Sequence, residues 1–191
     1  MAAKKAYHDE VPAPLVAKFW EQGEISPFQL MRVVAWKSAQ PLAELSLNDE
    51  DLIRDRTRSA MLAIGQFRGS NVVTQQVDWQ LWRDAAASAI GNERVRTGLL
   101  GLRGVRYPVA TAILAVLLPE VFPVMDRYAI AGVFGCSVKE GASAKWHRAD
   151  KYREYCQLLA ACERADVRQI SSVHVRDQYF MNLVMKAEGG R

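Results

Sequence analysis

The stretch that decides the fold runs from Leu102 to Tyr128 and reads LRGVRYPVATAILAVLLPEVFPVMDRY. It opens with a tight turn around Gly104, and a helix is predicted to start at Pro108, because proline loses nothing at the first helical position. Residues 109–118 carry almost no polar group, which predicts a helix buried on all sides. A short loop then delivers one carboxylate, Asp126. Aspartate is rarely buried without a partner, so its place after so apolar a run needs an explanation.

Length and composition set the class of protein. The chain has 191 residues, half of them hydrophobic, which predicts one domain or two small lobes that share a core. Its longest uncharged stretch is too short to span a membrane, and its N-terminus lacks the apolar core of a signal peptide. Three irregularly spaced cysteines, Cys136, Cys156 and Cys162, indicate reduced thiols, and no Cys/His set has zinc spacing. We therefore expect a cytoplasmic monomer without membrane contact, metal or cofactor.

Arginine is concentrated around the turn. The net charge is +4, and one 34-residue window has Glu120 and Asp126 as its only acids. The same window holds five arginines: Arg94, Arg96, Arg103, Arg106 and Arg127. Such an excess suits a surface that contacts phosphates, although a solvated charged face fits the charges equally well.

The rest of the chain reads as mostly helical. Ser26 with Pro27 and Gln29 predicts a capped helix start, while Asn48 and Asp78 are predicted caps of two further helices. Residues 71–74 form the one candidate strand, a weak one. The pattern predicts helices over about 13–22, 27–40, 49–64, 79–90, 93–100, 108–118, 127–134, 150–165 and 173–186. The expected fold class is all-α.

The order helix, Leu102-Arg103-Gly104-Val105, helix resembles the helix-hairpin-helix motif. With Asp126 beyond it, the pattern is similar to the helix-hairpin-helix DNA glycosylase superfamily, the group that includes endonuclease III and the alkyladenine glycosylases. In that family a hairpin of the form L-x-G-V-G precedes an apolar helix, and a loop then presents the catalytic aspartate. Ala110 and Asp126 are 16 positions apart, as in endonuclease III, and Pro123-Val124-Met125 resembles the P-V that precedes the family's aspartate.

The resemblance covers residues 97–128 closely and residues 26–40 more loosely. It implies a two-lobed helical glycosylase fold over residues 1–191, with the hairpin at about 93–118. It also implies hydrolysis of the N-glycosidic bond of a damaged or modified base flipped out of double-stranded DNA. The sequence does not reveal which base, and both DNA repair and defence against phage DNA with modified bases stay open. The alternatives are a non-catalytic DNA-binding module and a helical interaction protein with no DNA role.

Three departures from the family pattern refine this expectation. Arg106 replaces the second hairpin glycine, which strains the backbone if that position needs a positive φ. Pro108 stands where some members carry the lysine of their lyase activity, and proline has no free amine. The four-cysteine iron–sulfur motif is absent from the sequence. The resemblance therefore implies a monofunctional glycosylase without a cluster.

A carboxylate such as that of Asp126 suits cleavage of an N-glycosidic bond, independently of the family resemblance. Breaking an N-glycosidic bond builds positive charge on the sugar, which a nearby carboxylate stabilises while it activates water. Arg127 or Arg106 could keep the carboxylate ionised, or the apolar run could raise its pKa, and the sequence does not choose. Aspartate is also a common helix N-cap, and the two roles are compatible.

The other candidate site residues follow from their places in the pattern. The resemblance puts the hairpin on DNA through its backbone N–H groups and arginines, over Arg103, Gly104, Val105, Arg106 and Tyr107. Trp36 and Tyr128 are the candidates for a base pocket, with core packing as the alternative for both. Lys37 and Gln40 are candidates to fill the gap left by the flipped base, or else they cap a helix end at the surface.

Overall fold

A computed structural model describes the backbone of residues 13–189 and the side chains of residues 15–189. The signal-peptide prediction concerns the first residues of the chain and lies outside this range. Within it the protein is helical, without a strand. The helices are α1 Ala13–Gln22, α2 Pro27–Lys37, α3 Leu42–Leu45, α4 Glu50–Ile64, α5 Trp79–Ile90, α6 Tyr107–Leu117, α7 Arg127–Phe134, α8 Val138–Gly141, α9 Ala149–Ala160 and α10 Val173–Ala187. The all-α prediction is confirmed for the described residues.

Side-chain caps decide where several helices begin. Ser26 and Gln29 form the predicted capping box of α2, and Asp78 caps α5. The predicted cap Asn48 is wrong, because Asp49 accepts the first N–H groups of α4. The Asn48 side chain instead bonds the backbone of Arg103 on both sides, so a contact distant in sequence outweighs its local capping propensity.

Two other predicted elements are absent. The candidate strand at residues 71–74 is a turn, because the Asn71 side chain accepts the N–H groups of Val73 and Thr74. The predicted helix over 93–100 is an irregular loop that ends in a short 3₁₀ turn, Leu99–Gly101, so the hairpin predicted at about 93–118 has this turn in place of its first helix. In this loop the backbones of Gly91 and Gly98 pack against each other. A Cβ on Gly91 would lie 2.0 Å from the carbonyl oxygen of Thr97, so this position requires glycine.

Helix α6 runs through the middle of the hydrophobic core. Ten of its eleven residues are buried, as the apolar run predicts. It packs against α2 and α5 on one side, while α7 packs mainly against α8 and α10. Contacts between α5 and α9 join these two groups of helices over one continuous core. The loop that connects α6 to α7 therefore lies between the two groups, and Asp126 lies at its end.

Candidate active site

Asp126 is the N-cap of α7 and is buried, with 8% of its surface exposed. Its Oδ1 accepts the backbone N–H groups of Tyr128 and Ala129, both at 3.0 Å. The predicted N-cap role is thereby confirmed. Since both of these bonds use Oδ1, the carboxylate is held in one orientation and Oδ2 points to a different partner.

That partner is Lys37, the last residue of α2, whose ammonium donates to Oδ2 of Asp126. The two side chains are only 10% and 11% exposed, so the ion pair is largely shielded from water. The sequence offers Arg127 or Arg106 as the cation that keeps the Asp126 carboxylate ionised. Arg127 instead lies over the Tyr128 ring, 4.8 Å from its centre, and Arg106 forms no ion pair with a described carboxylate. The pair joins residues 89 positions apart, and sequence spacing gives no signal for such a contact.

Two tyrosines of α9 hold the loop before Asp126. The Tyr152 hydroxyl donates to the carbonyl of Pro123 at 2.6 Å, and the Tyr155 hydroxyl lies 3.5 Å from the carbonyl of Val124. Both tyrosines are fully buried, and burial raises the pKa of each well above its usual value. They therefore remain neutral hydrogen-bond donors.

A second buried carboxylate, Asp177 of α10, holds the same loop from the other side. It accepts the N–H of Val124 at 3.2 Å and the hydroxyl of Tyr155. Burial raises the pKa of Asp177, while the His174 ring, whose Nδ1 lies 3.7 Å from Oδ2 of Asp177, acts in the opposite direction. The N–H of Met125 donates to the Thr111 hydroxyl of α6 at 3.1 Å, so the loop is fixed on three helices. Sequence reasoning missed Asp177, because nothing near it in the chain marks it as buried.

The hairpin before α6 depends on Gly104, whose φ is +79°. A Cβ there would lie 2.6 Å from the carbonyl oxygen of Pro41, so glycine is required both for φ and for space. Arg106 has a φ of −100°, a region open to every residue. Its replacement of the family's glycine therefore causes no strain.

The hairpin backbone offers hydrogen-bond donors. Within residues 13–189, the N–H groups of Gly104, Arg106 and Tyr107 have no protein acceptor. Arg103 and Arg106 are exposed, whereas the side chains of Val105 and Tyr107 are buried. Of the residues predicted to contact DNA, Val105 and Tyr107 could therefore do so only through their backbone atoms.

Among the described residues, Arg106 lines three clefts that adjoin the hairpin. Their volumes are about 410, 500 and 710 Å³. The other basic residues that line them are Arg94, Arg96, Arg103, His147 and Arg148, and the acids are Glu44 and Glu93. The smallest cleft also includes Gln40. Arg127 is not among the lining residues, so the structure brings four of the five clustered arginines together.

His147 stacks on Tyr107 in the wall of the largest cleft, with ring centres 5.1 Å apart and planes 5° apart. Burial lowers the pKa of His147, which favours its neutral form. Burial also raises the pKa of Tyr107, whose hydroxyl has no partner among the described residues. This stacked pair links the start of α6 to the segment before α9.

Trp36 and Tyr128, the candidates for a base pocket, flank the ion pair in sequence and in the fold. Trp36 precedes Lys37 and packs on Ala112, Ala115 and Val124, with its ring edge against His174 at 5.9 Å. Its buried Nε1 has no partner among the residues described. Tyr128 is half-buried and lies two residues after Asp126. Their role toward a base stays a prediction.

The three cysteines are unbridged thiols, and no group of three His, Cys, Asp or Glu side chains has the spacing to hold a metal ion among residues 13–189. No helix in this range is long and apolar enough to span a membrane. Comparisons of the chain with family models, with curated proteins and with solved structures found no match.

Proposed function

We propose that this protein is a monofunctional DNA N-glycosylase with a helix-hairpin-helix glycosylase fold, which removes a damaged or modified base from double-stranded DNA by hydrolysis of the N-glycosidic bond. The observation that carries the proposal is the setting of Asp126. Its carboxylate is buried, oriented by two backbone N–H groups, and placed at the end of a loop that three helices fix. The same loop follows directly from the helix that the hairpin begins.

A carboxylate in this setting suits cleavage of a glycosidic bond. Positive charge develops on the sugar as the base leaves, and a preorganised negative charge stabilises it without having to reorient. In Asp126 the two cap bonds set the orientation, and Oδ2 is the oxygen that faces away from the cap. Activity would then depend on the charge of Asp126 rather than on its hydrogen bonds to the backbone.

The surface around the hairpin supports DNA as the substrate. Its backbone donors and the clefts with their cluster of arginines provide contacts to phosphates, which position a protein without reading sequence. A base must leave the helical stack to reach Asp126, and Trp36, Lys37, Gln40 and Tyr128 are the candidates to receive it or to fill its place. Repair and defence against phage DNA are both compatible with this arrangement.

The experiment that tests the proposal is incubation with a panel of duplexes that carry modified bases, followed by alkali to cleave abasic sites. We expect Asp126→Asn to abolish release of the susceptible base while DNA affinity changes by no more than a few-fold. Asparagine still caps a helix, so both backbone bonds of the cap are retained, and circular dichroism checks that the variant folds without the charge that faces Lys37. Asp78→Asn is the matched control, since Asp78 caps α5 with the same two bonds outside the site. An Asp126→Asn protein with full turnover would exclude Asp126 as the catalytic group.

A non-catalytic DNA-binding module is the second candidate. The observation in its favour is that Lys37 occupies Oδ2 of Asp126, so the carboxylate is already neutralised by a protein cation. This candidate predicts salt-dependent DNA binding with no base released from any duplex of the panel. A helical interaction protein would instead show no steep dependence of DNA affinity on salt.

A further inference from the structure

The side chain of His174 contacts both segments of the chain that bring Lys37 and Asp126 together. It lies near the start of α10 and is 12% exposed. Its Nδ1 is 3.7 Å from Oδ2 of Asp177, which bonds the loop before Asp126. Its ring meets the edge of Trp36, the neighbour of Lys37 on α2, with ring centres 5.9 Å apart. The histidine therefore lies between the two elements that carry the ion pair.

We propose that His174 is a positioning residue, which keeps Lys37 and Asp126 at the distance of an ion pair. It acts on the loop before Asp126 through Asp177, and on the end of α2 through Trp36. The consequence for base release rests on the proposed function, whereas the consequence for the ion pair does not. If His174 only filled space in the core, its replacement would change stability and leave the ion pair as it is.

The surroundings orient the His174 ring toward Asp177. The amide nitrogen of Gln178 lies 3.1 Å from Nε2 of His174, and since an amide nitrogen only donates, the neutral ring carries its hydrogen on Nδ1. This N–H faces Oδ2 of Asp177, the oxygen that also accepts the N–H of Val124. A separation of 3.7 Å is longer than a hydrogen bond, but a dipole and a charge still attract each other there when both are shielded from water. The histidine thus stabilises the carboxylate that holds the loop.

Both contacts lead to the ion pair over short distances along the chain. On the loop, Val124 is two residues before Asp126. On α2, Trp36 directly precedes Lys37 and also packs on Val124. The two side chains of the ion pair are only 10% and 11% exposed, so a shift of either segment would lengthen the pair and admit water. Removal of the His174 side chain loosens both segments at once.

The first test uses the natural protein, so it does not depend on how variants fold. Long-range proton–nitrogen NMR spectra distinguish the two neutral forms of a histidine ring. We expect Nδ1 of His174 to carry a hydrogen at neutral pH, with the signal assigned by its absence from His174→Asn. A ring with its hydrogen on Nε2 alone would overturn the proposal, because Asp177 would then face a lone pair.

Reductive methylation of lysine amines probes the ion pair and needs no substrate. Lys37 is shielded, so we expect it to react more slowly than the exposed Lys139 in the same sample, as measured by mass spectrometry of the peptides. We expect His174→Ala, which loses both contacts, to speed the methylation of Lys37 relative to Lys139 about threefold or more. His174→Asn restores a donor toward Asp177 and should recover part of the protection. Val175→Ala, at an exposed neighbour on α10, is the matched control.

Equal rates of Lys37 methylation in His174→Ala and in the natural protein would refute the positioning role. The thiol of Cys156, which is fully buried, distinguishes local loosening from unfolding of the whole chain. We expect it to stay unreactive toward a thiol reagent in the variant. Reaction of Cys156 in parallel with Lys37 would mean that His174 only stabilises the core.

The panel of modified duplexes tests the consequence for catalysis. With a susceptible duplex, we expect His174→Ala to lower the single-turnover rate at saturating protein about tenfold or more, while DNA affinity changes by less than about twofold, because the carboxylate is displaced and the DNA surface is not. A normal rate together with a more reactive Lys37 would refute the role of His174 in base release. If no duplex releases a base, the glycosylase proposal fails, whereas the NMR spectrum and the methylation of Lys37 still decide the role of His174.

Discussion

Single residues show how tightly the hairpin is built. Gly104 combines a positive φ with a close approach to Pro41, and we predict that Gly104→Ala lowers the free energy of unfolding by about 2–4 kcal/mol, from backbone strain and a clash. Gly135→Ala is the control, because Gly135 has a φ of +64° but open space around it. It should lose only about 1–2 kcal/mol. Urea unfolding measures both values, and equal losses would show that the contact with Pro41 does not matter.

His147 makes stability depend on pH. Because burial lowers its pKa in the folded state, the unfolded chain binds more protons just below the ordinary histidine value of about 6.5. Stability contributed by neutral His147 is therefore present above that pH and is lost as the pH falls through the window between the two pKa values. We predict that His147→Gln flattens the decline in unfolding free energy between neutral and mildly acidic pH. Denaturant titrations at several pH values test this, and parallel curves for both proteins would contradict it.

At the scale of elements, the hydrogen bonds that hold the loop before Asp126 contribute to the stability of the protein and to the position of that carboxylate. We predict that Tyr155→Phe lowers the free energy of unfolding by about 1.5–3 kcal/mol, because a buried bond to the Asp177 carboxylate is lost. It should also slow base release while leaving DNA affinity unchanged, since the loop is less firmly held. Tyr179→Phe is the control, because its hydroxyl bonds Asp166 at the surface. Single-turnover rates that match those of the natural protein would refute the positioning role.

The elements that the sequence predicted well are those whose signals are local. The capping box of Ser26 and the apolar run of α6 both give the helices expected, because the deciding residues are close neighbours along the chain. Helix α2 nevertheless ends at Lys37, not at Gln40, because Ser38 is extended. The capping role of Asp126 was predictable for the same local reason.

Contacts between distant residues account for what the sequence did not predict. Asn48 bonds the backbone of Arg103 instead of capping a helix, and Lys37 contacts a carboxylate 89 positions away in the chain. Asp177 likewise shows its importance only when α10 packs behind the loop. Propensity and spacing report on neighbours along the chain, so they carry no information on these pairs.

At the scale of the whole molecule, arginines are concentrated around the clefts beside the hairpin. We predict that Arg106→Ala weakens binding to all DNA sequences alike and reduces the slope of log affinity against log salt by about one unit. Arg164→Ala is the control, because Arg164 is engaged with Asp166 at the surface. The choice of base should not change, since a phosphate contact carries no base information. An unaltered salt slope, together with a slower single-turnover rate, would instead mean that Arg106 acts on the chemistry.

The ion pair joins opposite ends of two helices. Lys37 is the last residue of α2, where the aligned peptide dipoles leave partial negative charge, and Asp126 caps the start of α7, where they leave partial positive charge. Each charge is thus stabilised by about 0.3–1 kcal/mol by its own helix, apart from what the two groups gain from each other. The two helix ends would therefore still stabilise the two charges if a ligand separated the side chains.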